Sequence, residues 1–423
     1  MTFYAYNPLT APSAPVQAPF SVVAFCAGFF FAARTIFVFA TARWFSVGTE
    51  PGVLAGFACA ALLVIVAAFN AFGPARFFSI GCHSIPSLAW VFAYLAFAGC
   101  SLLWSASAVS SAAYWTALVS DVGTVLLLAR CMHTTQLVHS LLKGFITASC
   151  ALAVVALIMP AAEDLRLGDI DYFNTNQIGN LCALSLLMCI LLASRNDALM
   201  RPIPWFLGIT LIRSLSKSTL IALFVCLVYR MVRDPEGSRA RRWLTAFTAI
   251  FLAVTFWGLF STYFAIYTSV GNQAETLTGR TAIWAWTLDA ALSRPWFGNG
   301  FDALWNIAPP FGGELFQARH AENELLQQFF AYGVCGIVLV CGVYGSLYRL
   351  FRHLPRSSTK LSLIAFVLYA LVRGLAEAEP FDLLLPLWLI AALSLLAASQ
   401  FSQLAPAFHE PARAAVPNTL SAC

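Results

Sequence analysis

Five polar or charged residues stand directly before a strongly apolar run in the stretch FQARHAENELLQQFFAYG. These residues are Arg319, His320, Glu322, Asn323 and Glu324. A neutral imidazole beside a carboxylate and several cations is suited to act as a general base near pH 7. His320 is therefore a candidate catalytic residue, and it would share a helix face with Glu324 if a helix began by position 321. The alternative is an ordinary polar flank in which Asn323 caps a helix.

Basic residues elsewhere in the chain could bind an anion together with this stretch. Arg213 and Lys217 lie in the turn RSLSKST, and Arg280 lies at the start of GRTAIWAWTLDAAL. Arginine and lysine side chains bind phosphate groups well. We therefore predict that Lys217 and Arg280 form an anion site, whereas snorkelling at a helix end explains Arg294.

Carboxylates and amides supply candidate contacts to sugars. Arg373 and Glu377 lie in RGLAEAEPFD, where Glu377 could bind sugar hydroxyls or pair with Arg373. Asn176 lies in DYFNTNQIGN, a stretch of amides and aromatic residues that suits carbohydrate contacts. The 12 cysteines form no C-x-x-C motif and no Cys/His pairing typical of a metal site. The sequence therefore predicts neither a metal nor another cofactor.

The composition decides the class of protein that must position these residues. Of the 423 residues, 60% are hydrophobic and only 10% are charged, whereas a soluble domain is about one quarter charged. Such a chain cannot cover itself against water, so it is predicted to be an all-α polytopic membrane protein. The net charge of +5 arises from short loops between apolar runs, which favours membrane topology over nucleic-acid binding.

Twelve stretches are long or apolar enough to be candidate transmembrane helices. They are 20–42, 52–72, 86–104, 112–131, 140–160, 178–194, 202–215, 217–232, 243–264, 324–347, 360–376 and 382–401. The seventh and eighth are short and meet at RSLSKST, which is predicted to be a tight turn at a membrane surface.

Lysine and arginine in short connections predict the orientation, because they favour the cytoplasmic side. The richest are 230–242 and 348–360, and with twelve spans they fall on the same side as both termini. The long connection 265–323 then lies on the opposite side, where it is expected to be ordered and to carry short amphipathic helices.

The predicted organisation has five parts. A cytoplasmic N-terminal segment (1–19) precedes nine transmembrane helices (20–264). The extracytoplasmic catalytic connection (265–323) leads to three further transmembrane helices (324–402). A disordered cytoplasmic tail (403–423), rich in alanine and proline, follows them.

The order of these motifs resembles the O-antigen ligase and polysaccharide polymerase superfamily of bacterial envelope glycosyltransferases. The strongest part is GRTAIW, RPWFGNGFDALW and HAENELLQQFFAYGVCG, spread over residues 279–336. WSASAVS, FNTNQIG, the Ser-x-Ser-Lys-Ser turn and RGLAEAE support it.

The resemblance implies a metal-independent, inverting transfer on the periplasmic face of the inner membrane. The donor would be a glycan on undecaprenyl diphosphate, His320 the base that activates the acceptor hydroxyl, and Arg280 a cation that holds the diphosphate. Lys217 occupies a place where the ligases usually carry arginine, so Arg213 is a candidate to share its role.

The Ser-Lys-Ser turn and LTGRTAIW are more similar to exopolysaccharide polymerases than to lipid A-core ligases. Polymerisation of lipid-linked repeat units is therefore the predicted activity, with transfer to lipid A-core as the alternative. A flippase for a charged lipid is a third hypothesis, although transporter sites lie near the bilayer midplane. A separate flippase and a chain-length regulator are possible partners, and no nucleic acid is expected.

Overall fold

The computed structural model describes residues 18–71, 85–159, 167–169, 172–193, 202–233, 257, 261, 280–311 and 316–404. Most of the predicted ninth span and most of both predicted terminal segments lie outside these residues.

The described chain is almost entirely helical. The helices are α1 Ala18–Phe39, α2 Glu50–Ala71, α3 Pro86–Ser101, α4 Ala108–Cys131, α5 Thr134–Ile158, α6 Thr175–Leu192, α7 Pro202–Ser214, α8 Lys217–Arg233, α9 Arg280–Leu292, α10 Leu304–Ile307, α11 Glu324–Arg352, α12 Ser358–Arg373 and α13 Leu387–Leu404. A π-helical turn, Ala40–Trp44, extends α1, and a 3₁₀ turn, Leu102–Trp104, extends α3. Two short antiparallel strands, β1 Pro310–Phe311 and β2 Phe316–Gln317, pair with each other.

Seven of the described helices are long and apolar enough to cross a membrane. They are α1, α2, α3, α4, α5, α6 and α11. A multi-pass helical membrane protein is thereby confirmed. The helices α7, α8, α12 and α13 also coincide with predicted spans but are not among these seven. The count of twelve therefore stays a prediction.

Close contact between helix backbones builds part of the bundle. A Cβ atom at Gly28 of α1 would lie 1.9 Å from the carbonyl oxygen of Leu141, and one at Gly144 of α5 would lie 2.0 Å from that of Phe25. Small residues at such crossings let membrane helices approach closely, where van der Waals packing replaces the hydrophobic effect. The two glycines therefore fix the α1–α5 contact.

The centre of the bundle is α13, which packs against α3, α4, α5 and α11. Its side chains are buried from Leu387 to Ala397. Trp388 stacks on Phe31 of α1 with ring centroids 4.6 Å apart, and Ser394 shares a 2.8 Å hydrogen bond with Ser87 of α3. A helix that is apolar all round can be stable in this position because no face of it meets water.

A charged pair lies within the bundle where the sequence analysis placed none. Arg34 of α1 and Asp121 of α4 are 2.5 Å apart, and the Asp121 side chain is only 3% exposed. Intramembrane charges are costly and are normally paired. Arg34 is the only charged residue of its predicted span and Asp121 the only acidic residue of its own, so a search for opposite charges in different spans could have found the pair.

Residues 280–311 and 316–323 form a cap on one end of the bundle. Here α9 packs on α11 and buries Ile283, Thr287 and Ala291. Trp286 joins this contact, with its ring centroid 5.9 Å from that of Phe330. The described cap residues contain the helices α9 and the four-residue α10. The periplasmic location of this connection stays a prediction.

Residues 295–300 of the cap pack against α11 where this helix is interrupted at Gly333. Gly333 has φ 63° and ψ −151°, which interrupts the helix. The carbonyl oxygens of Phe330 and Ala331 then accept from the backbone N–H groups of Asn299 and Gly300, at 2.9 and 2.8 Å.

The other two groups at this break are satisfied by the same turn of the cap. The N–H groups of Val334 and Cys335 donate to the carbonyl oxygens of Pro295 and Trp296, at 2.7 and 3.4 Å. The backbone polar groups of a buried chain must be satisfied internally. Here they are satisfied by hydrogen bonds between the stretches RPWFGNG and FFAYGVCG.

The turn 298–301 is also held from α3 and α4. The carbonyl oxygen of Phe301 accepts from the hydroxyls of Ser105 and Ser111, at 2.7 and 3.0 Å, and its N–H donates to Ser101 at 3.0 Å. Gly300, with φ 97°, would place a Cβ 2.7 Å from the Cα of Ser105. The serines of WSASAVSS thus fix where the cap sits on the bundle.

Replacing Gly333 by alanine should destabilise the protein by about 3 kcal/mol or more, because the backbone conformation is strained for other residues and the added Cβ overpacks the contact. That Cβ would lie 2.4 Å from the carbonyl oxygen of Pro295. Thermal unfolding of the purified full-length protein in detergent measures the change.

Gly345→Ala is the matched control on the same helix, because nothing lies within 4 Å of the added Cβ. It should be neutral or stabilise by up to about 1 kcal/mol through helix propensity. Equal unfolding midpoints for the two variants would contradict the interlocked break.

Candidate functional site

Four parts of the chain meet at the capped end of the bundle. They are the start of α6, the turn between α7 and α8, the start of α9 and the segment that follows α12. The turn RSLSKST is tight, as predicted: Leu215 has φ 58°, and only Leu215 and Ser216 separate the two helices. Asn174 caps α6 in a capping box with Gln177, which fixes the helix start that presents Asn176.

Glu377 is the centre of this meeting point. Its Oε1 accepts hydrogen bonds from Arg280 at 2.6 Å, from Asn176 at 2.8 Å and from Ser218 at 3.1 Å. The Glu377 side chain is only 2% exposed. Ser216 donates to Asn176 Oδ1 at 3.0 Å, which holds the amide in this orientation. One carboxylate therefore links α6, α8 and α9.

Arg280 lies between two carboxylates rather than standing alone. Its guanidinium NH2 is 2.6 Å from Glu377 Oε1 and 3.1 Å from Glu322 Oε2. Charge-assisted contacts of this kind hold a guanidinium firmly. The arginine that was predicted to bind an anion is thus paired with two carboxylates of the chain itself.

Glu322 connects Arg280 to the predicted base. Its Oε1 lies 3.8 Å from Nδ1 of His320, and its backbone N–H donates to the same Nδ1 at 3.3 Å. Burial raises the pKa of the Glu322 carboxyl, while His320 and Arg280 oppose this shift. Glu322 also has φ 52°, a strained conformation for a residue with a side chain. The arrangement places Glu322 against both candidate functional groups.

The predicted pairing of His320 with Glu324 on one helix face is wrong, because α11 begins only at Glu324. Glu324 is 4% exposed, and its Oε1 accepts from the hydroxyl of Tyr344 and from the backbone N–H of Leu384, both at 2.9 Å. Asn323 is the N-cap, accepting from the N–H of Leu326 at 3.0 Å. These two residues thus have structural partners.

Arg319 stacks between two aromatic rings. Its guanidinium carbon lies 5.1 Å from the ring centroid of Trp305 and 5.7 Å from that of Tyr172. On the same Tyr172 ring lies Arg43, 5.4 Å away, which also forms an ion pair with Asp169 at 3.0 Å. The cation–π contact of Arg319, the residue before His320, joins the cap to Tyr172.

The remaining predicted cations surround the same region. Lys217, the first residue of α8, is exposed, and Arg213 in the last turn of α7 is half-buried. Arg373 is 1% exposed and lies 3.5 Å from Glu379, while its Nε has no hydrogen-bond partner among the described residues. Lys217 follows Ser216 and precedes Ser218, so its backbone lies within one residue of the Glu377 contacts.

A small cavity lies beneath the cap, lined by Tyr94, Asp302 and Gln328 among others. Its volume is about 10 Å³, enough for roughly one water molecule. Burial raises the pKa of Asp302 to about 7. The cavity is too small for a sugar, and in the described part of the chain no three His, Cys, Asp or Glu side chains are grouped as ligands for a metal ion.

Sequence reasoning found most of these residues but missed two connections. The sequence pattern gave Glu322 no role, although it lies two residues after His320. Ser218 carries no charge, and only its place beside Lys217 in the predicted turn could have indicated a role. The catalytic roles of His320, Arg280 and Lys217 stay predictions. So do the substrate-binding roles of Arg213, Arg319, Asn323, Glu324, Arg373, Glu377 and Asn176.

Fold and site together define a multi-pass helical membrane protein with a cluster of arginine, glutamate and histidine side chains under a cap. A family model described as O-antigen ligase matches residues 203–341. This match confirms the resemblance to the O-antigen ligase and polymerase superfamily, and the segment includes Lys217, Arg280 and His320. Asn176, Arg373 and Glu377 lie outside it. A search of curated proteins finds no match.

Glu377→Gln and Arg280→Gln should show a coupling free energy of about 1–3 kcal/mol in a double-mutant cycle, since each removes one partner of the same ion pair. The amide introduced by Glu377→Gln would keep an oxygen for Asn176 and Ser218 while losing the charge. Denaturant unfolding of the purified full-length protein in detergent gives the four free energies.

Glu50→Gln, at an exposed position in the first turn of α2, is the matched control. Its combination with Arg280→Gln should be additive within about 0.5 kcal/mol. Additivity of the Glu377 cycle as well would mean that the 2.6 Å contact contributes nothing to stability.

Proposed function

We propose that this protein is a membrane glycosyltransferase that polymerises oligosaccharide repeat units carried on undecaprenyl diphosphate. In this proposal the transfer is inverting, requires no metal and takes place on the periplasmic face of the bacterial inner membrane, with both termini cytoplasmic. The observation that carries it is the continuous series of contacts from Ser218 through Glu377, Arg280 and Glu322 to His320. These contacts join a candidate base to candidate anion-binding groups at the ends of apolar helices.

The proposed reaction uses the imidazole and the cations in separate roles. The acceptor hydroxyl oxygen attacks the anomeric carbon of the donor sugar, and the bond from that carbon to the diphosphate oxygen breaks. The bonding electrons leave with the diphosphate, and the hydroxyl proton passes to His320. A diphosphate is a good leaving group, so no general acid is required, and fixed cations stabilise its developing charge.

In the proposed cycle Arg280 exchanges one of its carboxylate partners for the diphosphate. Glu377 has the shorter contact, 2.6 Å against 3.1 Å for Glu322, and is also held by Asn176 and Ser218. Glu377 therefore stays in place as the anchor, while Glu322 is released. Lys217 and Arg213, on the adjacent turn, supply further positive charge for the donor.

The released Glu322 then acts on His320. Its Oε1 is already 3.8 Å from the imidazole, close enough for a carboxylate to stabilise the imidazolium that forms when His320 accepts a proton. Donor binding and activation of the base are thus coupled through one side chain. Glu322 is a positioning residue in this scheme, because it acts through His320 and Arg280.

A second candidate is the ligase reaction, in which a finished glycan is transferred to lipid A-core. The description of the matching family, O-antigen ligase, favours it. Both reactions share the donor chemistry, so the same residues would serve either one and only the acceptor differs.

Proteoliposomes that contain the purified protein and undecaprenyl-diphosphate-linked repeat units should produce longer glycans without any other acceptor. Gel or mass analysis of the extracted glycans measures the product. His320→Ala should reduce chain growth by about 10²–10⁴-fold, the usual contribution of a general base. His353→Ala is the matched control, since His353 is an exposed C-cap of α11 and should leave the rate unchanged.

Products that form only after lipid A-core is added would favour the ligase over the polymerase. Loss of lipid-linked repeat flipping in His320→Ala, with chain growth failing only for that reason, would favour transport. Full activity of His320→Ala would remove the proposed base.

Glu322→Gln should lower KM for the donor and lower kcat as well. Arg280 would lose a competing carboxylate, so the diphosphate binds more easily, whereas the imidazolium would lose its stabilising charge. Steady-state kinetics in the same proteoliposomes separate the two constants. A raised KM with unchanged kcat would show that Glu322 contributes only to binding, contrary to the exchange.

A further inference from the structure

A second basic region lies at the other end of the helices that carry the candidate site. It is a groove of about 750 Å³ between α8, α11 and α12. Its lining contains four basic side chains, two tyrosines and two aliphatic side chains. These are Arg233, Arg352, Arg356, Lys360, Tyr229, Tyr348, Leu361 and Ile364. Ser357, the N-cap of α12, completes the lining.

The groove has fixed walls. Arg230 of α8 donates to the carbonyl oxygen and the hydroxyl of Ser358 at 3.3 Å, and it also hydrogen-bonds to the hydroxyl of Ser362. Lys360 Nζ donates to the carbonyl oxygens of Arg352 and Leu354, at 2.6 and 2.7 Å. These contacts tie α8 to α12 and α12 to the end of α11, so the space between them is part of the fold.

The charge of the groove is one-sided among the described residues. No Asp or Glu occurs in α8, in α12 or in residues 325–376 between Glu324 and Glu377. Arg233, Arg352 and Arg356 are exposed, and their positive charges lie around one cavity. Clustered like charges repel one another, so an anionic ligand in the groove would relieve this cost.

The position of the groove separates it from the candidate site. Lys217 begins α8 at the site, and Arg233 ends it at the groove, about 25 Å away for a helix of this length. In the same way α11 runs from Glu324 to Arg352, and α12 returns from Ser358 to Arg373. The two basic regions therefore lie at opposite ends of the same three helices.

We propose that this groove binds the headgroup of an anionic phospholipid, independently of the proposed function. The arginines would contact the phosphate, which guanidinium groups bind through charge-assisted hydrogen bonds. Tyr229 and Tyr348 would lie at the level of the lipid interface, where tyrosine is favoured, and Leu361 and Ile364 would contact the acyl chains. Basic pockets between membrane helices on the cytoplasmic side bind such headgroups.

The test uses native mass spectrometry of the purified full-length protein with added phosphatidylglycerol, phosphatidylcholine or inorganic phosphate. Phosphatidylglycerol should bind, and the double variant Arg352→Gln, Arg356→Gln should weaken its binding about 25-fold, or about 5-fold for each basic side chain. Arg349→Gln is the matched control, because Arg349 lies in the same last turn of α11 but outside the groove lining. It should change the affinity by less than about 2-fold.

Equal binding of phosphatidylcholine would overturn the proposal, since that headgroup has no net charge. An equal loss in Arg349→Gln and in the double variant would show a general surface effect and overturn it too. If millimolar inorganic phosphate displaced phosphatidylglycerol, the groove would be a site for the free anion instead. A failure of the glycan assay leaves this test unaffected, because it measures lipid binding alone.

Discussion

The break in α11 at Gly333 is the constraint on which the candidate site depends. A helix in an apolar environment must satisfy every backbone hydrogen bond, and this one satisfies the interrupted groups with the turn 295–300. The cap is thus joined to the bundle through the main chain, not through side chains alone. Since His320 lies at the end of the cap and the N-cap Asn323 begins α11, the same interlock determines where the imidazole lies.

The ion pairs of Arg280 with Glu322 and Glu377 determine the charge of the candidate site. An arginine held by two carboxylates has its orientation fixed, but its charge is already compensated. Burial favours the neutral form of Glu322 and weakens its attachment relative to Glu377, which has two further hydrogen-bond donors. The unequal attachment gives the cluster one strong and one weak contact to the same guanidinium. Ligand exchange at the weaker contact is then possible without loss of the structure around Glu377.

The sequence was sufficient for the helices and for the identity of most site residues. Apolar stretches of the right length predicted α1 to α6 and α11 within a few residues, because the membrane requirement is strong and local. The cations stood out because the proposed topology disfavours them on that face. What local pattern could not supply was the pairing between distant stretches: Glu377 with Arg280 is separated by 97 positions.

The start of α11 shows most clearly what a local sequence pattern cannot predict. If the helix began at residue 321, the neighbour of His320 would be Glu324. Because Asn323 is the N-cap, the helix begins at Glu324 instead, and the neighbour of His320 is Glu322. A shift of about three residues, little more than the usual disagreement over helix ends, thus changes the neighbour of the candidate base. The intramembrane pair Arg34–Asp121 was missed for a related reason, since each residue alone is only an imperfection in an apolar run.

The buried position of α13 has a consequence for biosynthesis. The central helix of the bundle follows every other described helix in the chain, so the ribosome has made the surrounding helices before it makes their common packing partner. Until then Trp388 and its neighbours are missing from contacts with Phe31, Phe145 and Ser87. The earlier helices can form their own contacts before that, as α1 and α5 do through Gly28 and Gly144, but the contacts at the centre of the bundle form only after α13 has been made.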